Sequence, residues 1–125
     1  MNDICIKFIP HSQQRYPTVG DYFHLGGALQ VRISVMKDWR HMVCVLIHEL
    51  VELFIVQYQG VSFKTIDRFD MAFEKRRKLG NVDEPGDDQN APYRIAHCIA
   101  SGIERILAAA LLVCWSDYAK EVESL

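Results

Sequence analysis

The spacing of apolar residues along the chain predicts strands first and helices afterwards. Residues 29–35 alternate apolar and polar positions, which is the period of a strand with one buried face. A β-branched run over 4–9 ends at Pro10 and predicts an edge strand, and residues 21–25 predict another strand before a Gly-Gly turn. The residues expected to face the core in the clearest strand are Leu29, Val31, Ile33 and Val35.

From Asp38 onwards the apolar positions recur every three or four residues, which predicts helices. The predicted helices cover residues 38–59, 62–79, 92–113 and 116–122. Asp38 is a suitable N-cap for the first helix and Gly60 a suitable stop, while Pro92 fits the first turn of the third. Strands followed by helices predict an α+β fold, with one domain over 1–125 and a small antiparallel or mixed sheet packed against three main helices.

The first predicted helix contains three ionisable residues in an otherwise apolar frame. Residues 43–56 read VCVLIHELVELFIV, and only His48, Glu49 and Glu52 interrupt the apolar run. His48 and Glu52 share one face of the helix because they are four residues apart, and Glu49 reaches the same space from the side. Burial of such groups without partners is costly, and a divalent metal ion would satisfy all three. The alternative partners are buried water and the side chains of Arg32, Arg94 and Arg105.

The segment His48-Glu49-Leu50-Val51-Glu52 is an H-E-x-x-E pattern that resembles the H-E-x-x-H motif of zincin metallopeptidases. The resemblance extends from residue 29 to residue 59, and small zincin-like proteins of bacteria and their phages are similar in this region. In zincins the active-site helix follows an edge strand of a small mixed sheet. The resemblance therefore implies a zincin-like fold in which the strand at 29–35 leads into the metal-binding helix.

The resemblance also implies a role for each polar residue of the motif. His48 would bind a metal ion through a ring nitrogen, and Glu49 would be the catalytic general base that takes a proton from water activated by the ion. Glu52 stands where the family has its second histidine ligand. A carboxylate can bind zinc, so we expect Zn²⁺. The replacement of histidine by glutamate also shifts the metal preference of the site towards harder ions such as Mn²⁺ or Mg²⁺.

Two other helices carry candidates for the third ligand. In the third predicted helix, His97, Ser101 and Glu104 form a polar stripe on one face. If this stripe faces the first helix, His97 is the expected third ligand, and Glu104 is a ligand or a group that orients a histidine. Asp70, in the second predicted helix, is the other candidate, because some zincin families take an acidic ligand from downstream of the first helix.

Composition and charge limit the partners that the chain is expected to have. The formal net charge is −2 and the isoelectric point about 6.2, so no nucleic-acid partner is expected. The longest strongly apolar run, 106–115, is too short to span a bilayer, and no membrane partner is expected. Four cysteines without a C-x-x-C pair and without a secretory signal predict free, mostly buried thiols and a cytoplasmic location. The abundance of apolar helix surface predicts a homodimer.

Three functions agree with these patterns. The first is a small zincin-like metal-binding protein that hydrolyses peptide or amide bonds. The second is a Mg²⁺-dependent nucleotide pyrophosphohydrolase, in which Glu49 and Glu52 on one helix and Asp67 and Asp70 on another would hold the ion. The third is a non-enzymatic structural or interaction protein with a vestigial site, in which the polar stripes of the helices form a buried salt-bridge network.

Overall fold

The computed structural model describes residues 3–125, in which a small sheet packs against helices. The strands are β1 (Ile4–Ile9), β2 (Gly20–Leu25) and β3 (Ala28–Ser34). The helices are α1 (Trp39–Gln59), α2 (Phe63–Arg76), α3 (Arg94–Ala110) and α4 (Trp115–Glu123). The predicted α+β class with a mixed sheet is confirmed, and all seven elements fall within a few residues of their predicted positions.

The sheet has the strand order β1-β3-β2, with β3 in the centre. β1 pairs with β3 in parallel, and β2 pairs with it antiparallel through a two-residue turn. Gly26 and Gly27 form that turn with φ values of 62° and 78°, the left-handed region that such a hairpin turn needs. β1 is an edge strand as predicted. The strand that leads into α1 is central, however, and not the edge strand that the zincin resemblance implies.

β3 is covered on both of its faces. Leu29, Val31 and Ile33 are buried as predicted, but the prediction for Val35 is wrong because the strand ends at Ser34 and Val35 is exposed. Ser34 is completely buried, and its hydroxyl contacts His11 Nδ1 at 2.9 Å and accepts a hydrogen bond from Gln14 Nε2 at 3.1 Å. The segment between β1 and β2 therefore covers the polar positions of β3.

α1 is the central helix of the fold and packs against α3, β2 and β3. The Asp38 side chain accepts a hydrogen bond from Arg40 N at its start, and Gly60 ends it with a φ of 74°, as predicted for both caps. Of the single helices in residues 3–125, only α1 is long and apolar enough to cross a membrane, with a mean hydropathy of 1.5. Buried core helices share this property.

Three predicted helix boundaries were wrong by a few residues, at the end of α2 and at both ends of α3. α2 ends at Arg76, because Arg77 takes an extended conformation and its guanidinium donates to Glu74 and to the carbonyl oxygens of Asn81 and Asp83 at 2.7–2.8 Å. α3 begins at Arg94 and not at 92, and it ends at Ala110. The segment 77–93 between these helices is therefore longer than the predicted loop.

Much of the outer face of α3 has no covering element in residues 3–125. This face carries the exposed residues Ile95, Cys98, Ile99, Ile103 and Ile106. Cys114 is also exposed, whereas Cys44 is fully buried, so the prediction of mostly buried thiols is wrong. All four cysteines are free, as predicted.

Candidate metal centre

α1 and α3 bring two histidines and one glutamate together in the core. His48 Nε2 lies 3.2 Å from Glu52 Oε2 and 3.2 Å from His97 Nδ1, and His97 Nδ1 lies 3.1 Å from Glu52 Oε2. All three side chains are buried. We call these three atoms the ligand triangle. His97 and Glu104 of the polar stripe thus face the polar residues of α1, which is the arrangement that the prediction of His97 as third ligand assumed.

The dimensions of the ligand triangle are close to those of a tetrahedral metal site. A zinc ion lies about 2.0–2.1 Å from nitrogen and oxygen ligands, so two such ligand atoms are roughly 3.3 Å apart. The observed separations are 3.1–3.2 Å. Two histidines and one glutamate are also a known ligand set of catalytic zinc, which keeps its fourth position for water.

Glu104 fixes the orientation and tautomer of His48. Its Oε1 atom lies 2.7 Å from His48 Nδ1, and its Oε2 atom accepts a hydrogen bond of 2.6 Å from the Tyr118 hydroxyl. A carboxylate accepts, so Nδ1 carries a proton, and in the neutral imidazole the lone pair of Nε2 is directed into the ligand triangle. This is the carboxylate–histidine arrangement that supports metal-binding histidines, and it places Glu104 behind the ligands.

The electrostatics of the cluster couple the histidines to the carboxylates. Burial alone would lower the pKa of His48, but hydrogen bonds to Glu104 and Glu52 outweigh it and raise the pKa to about 11. Burial would also lower the pKa of His97, but the hydrogen bond to Glu52 opposes this effect, and the pKa is raised to about 10. Burial would raise the pKa of Glu52, yet its two histidine partners lower it, and Tyr22 donates to its Oε1 at 2.7 Å. Protons and a metal ion would therefore compete for the same atoms.

Glu49 lies beside the ligand triangle against the start of β2. Burial and the neighbouring Glu52 carboxylate raise the pKa of Glu49 well above its usual range. A Cβ atom on Gly20 would stand 2.6 Å from Glu49 Oε1 and 2.7 Å from its Cγ. Only a glycine at this position leaves room for the Glu49 side chain.

The loop before α3 approaches the other side of His97. Glu84 Oε2 lies 3.0 Å and Asp87 Oδ1 3.2 Å from His97 Nε2. Gly86 is buried between them, and a Cβ atom there would overlap the imidazole ring. The sequence analysis missed both carboxylates and both glycines. The Glu-Pro-Gly-Asp turn, which directly precedes the helix that carries His97, was the available signal.

Asp70 lies outside the ligand triangle. Its two oxygens accept hydrogen bonds from Tyr93 at 2.5 Å and from Tyr16 at 3.0 Å. Of the other acids in α2, Asp67 pairs with Arg15 at 3.0 Å and Glu74 pairs with Arg77 at 2.8 Å. The structure therefore does not bring Asp70, a predicted metal ligand, to the atoms that converge around His48.

A cavity of about 440 Å³ opens onto this cluster, a size within the range of small-ligand sites. Its lining includes the ligand triangle, Glu49, Asp70 and the phenol rings of Tyr16, Tyr22 and Tyr93. The cavity is thus acidic and aromatic where it meets the cluster, and Glu49 is part of its lining.

Arginine does not neutralise the cluster within residues 3–125. Arg32 lies over the ring of Phe23 at 4.9 Å, Arg105 lies over Trp115 at 4.3 Å, and Arg94 is exposed. The ion pairs of His48, Glu52 and His97 join histidines to carboxylates. The alternative prediction of an arginine partner is therefore wrong.

No protein-family model matches the chain, and comparison with curated proteins and with solved structures finds no match. The zincin resemblance remains a prediction that rests on the H-E-x-x-E segment and the strand before it.

Asp70→Asn should change how stability depends on pH. Burial raises the pKa of Asp70 to about 6, and its hydrogen bonds from Tyr93 and Tyr16 offset burial only in part. The folded state therefore holds a proton that the unfolded state releases between about pH 4 and 6. The free energy of unfolding of the wild type, relative to Asp70→Asn, should fall by about 3 kcal/mol as the pH rises through this window. Urea titrations of metal-free protein measure it.

The control for this experiment is Asp83→Asn, which removes an exposed carboxylate from the neighbouring loop. If the free energies of unfolding of wild type and Asp70→Asn changed in parallel with pH, the pKa assigned to Asp70 would be contradicted.

Gly20→Ala should displace the Glu49 side chain and destabilise the fold by about 1–3 kcal/mol, because the new methyl group overlaps it. Gly102→Ala is the matched control, since a Cβ there meets no atom within 4 Å and a helical alanine is favourable by up to about 1 kcal/mol. Chemical denaturation compares the two variants. Equal stability changes at both positions would show that Glu49 does not occupy the space beside Gly20.

Proposed function

We propose that this protein is a small metal-dependent hydrolase that acts on peptide or amide bonds. His48, Glu52 and His97 would hold a divalent ion, with zinc the first choice and manganese or magnesium as alternatives. The observation that carries the proposal is the ligand triangle, whose three edges of 3.1–3.2 Å suit a tetrahedral ion. The aligned carboxylate behind His48 supports it further.

When bound, the ion would supply Lewis acidity, which lowers the pKa of water and polarises a carbonyl group. The residues of the chain supply the remaining functions. Glu49 is the general base and would take a proton from the attacking water, and burial together with the Glu52 carboxylate raises its pKa, which makes its ionised form a stronger base. Glu104 and Tyr118 hold His48 in place, and Tyr22 holds Glu52. The cavity admits the substrate next to Glu49.

The nucleotide pyrophosphohydrolase alternative has less support. It requires acids from α1 and α2 to converge on one ion, but Asp67 is paired with Arg15 and Asp70 with two tyrosines. The same two-histidine, one-carboxylate set can hold Fe²⁺ in oxygenases. Glu49 favours hydrolysis over that chemistry, because activation of water requires a base at the ion.

The structural alternative has a specific observation in its favour. With both histidines protonated, every carboxylate of the ligand triangle and behind it already has a hydrogen-bond partner. Such a network could exist for stability alone. Measurements of metal affinity and of hydrolysis distinguish the hydrolase from the structural protein, because a hydrogen-bond network that serves stability alone requires neither.

The expected partners remain proposals of the same kind. They are a small peptide or amide substrate and a second copy of the chain in a cytoplasmic location. The exposed isoleucines of α3 are compatible with the homodimer.

Zn²⁺ affinity should depend on the ligand triangle. In calorimetric titrations of metal-free protein, His48→Gln and Glu52→Gln should each weaken binding at the triangle by more than about 100-fold, and Glu104→Gln by about 10–100-fold. His24→Gln is the control, because His24 is exposed and stacks on Phe63. A wild type that binds Zn²⁺ no more tightly than His48→Gln would rule out the proposed metal centre.

Glu49→Gln should separate metal binding from catalysis. The Zn²⁺-loaded variant should keep an affinity within a few-fold of the wild type, yet lose about 10²–10⁴-fold in hydrolysis, since it retains the ligands and lacks the base. Cleavage of a mixed peptide library, followed by mass spectrometry, measures the loss. Undiminished cleavage by Glu49→Gln would exclude Glu49 as the base.

A further inference from the structure

His97 faces carboxylates on both sides of its ring. Its Nδ1 atom belongs to the ligand triangle, while its Nε2 atom lies 3.0 Å from Glu84 Oε2 and 3.2 Å from Asp87 Oδ1. The His97 side chain is only 6% exposed, yet Nε2 makes no aligned hydrogen bond with either oxygen. A buried polar atom without a hydrogen bond is rare and is commonly explained by an ion or a water molecule.

The backbone before α3 places both carboxylates at the same side of this ring. Glu84 precedes the 3-10 turn Pro85–Asp87, and Asp87 ends it, so the two residues are three apart and lie one above the other. Gly86 lets the turn approach the imidazole closely. One ligand atom from each of Glu84, Asp87 and His97 lies within 4.8 Å of the others.

We propose that Glu84, Asp87 and His97 Nε2 form a second divalent-cation site, so that the His97 ring bridges two ions. The proposal rests on the proposed function, because the bridge exists only if Nδ1 also binds an ion in the ligand triangle. Each ring nitrogen then gives one lone pair to one ion, so the ring binds as an imidazolate and both N–H protons of the imidazolium are released to solvent. Two carboxylates, one imidazole and open positions for water suit Zn²⁺ or Mn²⁺.

The second ion would fix the loop and the histidine together. The Glu84 and Asp87 side chains are 56% and 64% exposed, so an ion can reach them directly from solvent. Once bound, it would tie the segment 77–93 to α3 and hold the His97 ring in the plane that the ligand triangle requires. The outer site is therefore a positioning site for His97.

The number of Zn²⁺ ions per chain tests the proposal. Metal-free protein is dialysed against buffered Zn²⁺ and the bound metal is measured by elemental analysis. Wild type and the control Asp83→Asn should bind about two ions, because Asp83 is outside the cluster. The double variant Glu84→Gln/Asp87→Asn should bind about one, and so should His48→Gln/Glu52→Gln. His97→Gln should bind none tightly, because both sites lose a ligand.

Cu²⁺ provides a second readout of the bridge. Two Cu²⁺ ions joined by one imidazole are magnetically coupled, so the wild type should lose EPR signal per copper as the second equivalent binds, and Glu84→Gln/Asp87→Asn should keep the full signal of one isolated ion. Equal Zn²⁺ stoichiometry in wild type and that double variant would overturn the outer site and leave the inner one intact. Two uncoupled Cu²⁺ ions would overturn the bridge. Absence of tight Zn²⁺ in every protein would overturn both sites.

Discussion

The contact between α1 and α3 must satisfy four ionisable side chains that are buried together. His48 and Glu52 come from one helix, and His97 and Glu104 come from the other. No lysine or arginine within residues 3–125 forms an ion pair with them, so the charges are balanced among the four groups and whatever binds between them. Removal of one partner would leave a buried charge uncompensated, which is far more costly than loss of a surface pair. This requirement determines how the two helices face each other.

Tyrosines from outside α1 and α3 complete the arrangement. Glu52 accepts from Tyr22 of β2, Glu104 accepts from Tyr118 of α4, and Asp70 accepts from two further phenols. Glu121 in turn anchors α4 to the start of α1 by accepting from the backbone of Lys37 at 2.9 Å. A phenol donates to a carboxylate without adding charge, so these contacts hold the acids and leave their negative charge available to a cation.

The sequence could predict the parts of this arrangement that depend on local periodicity. The strand β3, the caps of α1 and the polar stripe of α3 are all properties of neighbouring residues, and each was found where the pattern placed it, apart from Val35, which lies beyond the end of β3. His48, Glu52, His97 and Glu104 stood out because polar residues interrupted apolar faces. The sequence left it open whether α3 faces α1, although two polar faces of this kind are costly to bury separately.

The parts that depend on distant contacts were not predictable from one sequence. The pairs Tyr22–Glu52 and Tyr93–Asp70 are separated by 30 and 23 residues, and nothing local to either tyrosine indicates its partner. Asp70 was predicted as a metal ligand because its position in the helix marks the edge of the core. Its carboxylate instead accepts hydrogen bonds from two phenols. The isoleucines of α3 are exposed to solvent, although their spacing is that of a buried apolar stripe. Periodicity identifies the apolar face of a helix, but it does not show which element covers that face.

The most direct test of the metal centre is an anomalous difference map from crystals grown with Zn²⁺, recorded on both sides of the zinc absorption edge. The account predicts a peak bounded by His48 Nε2, Glu52 Oε2 and His97 Nδ1, with Glu104 still bonded to His48. Crystals that hold no anomalous scatterer there at saturating Zn²⁺, with the three side chains bonded only to one another, would contradict it.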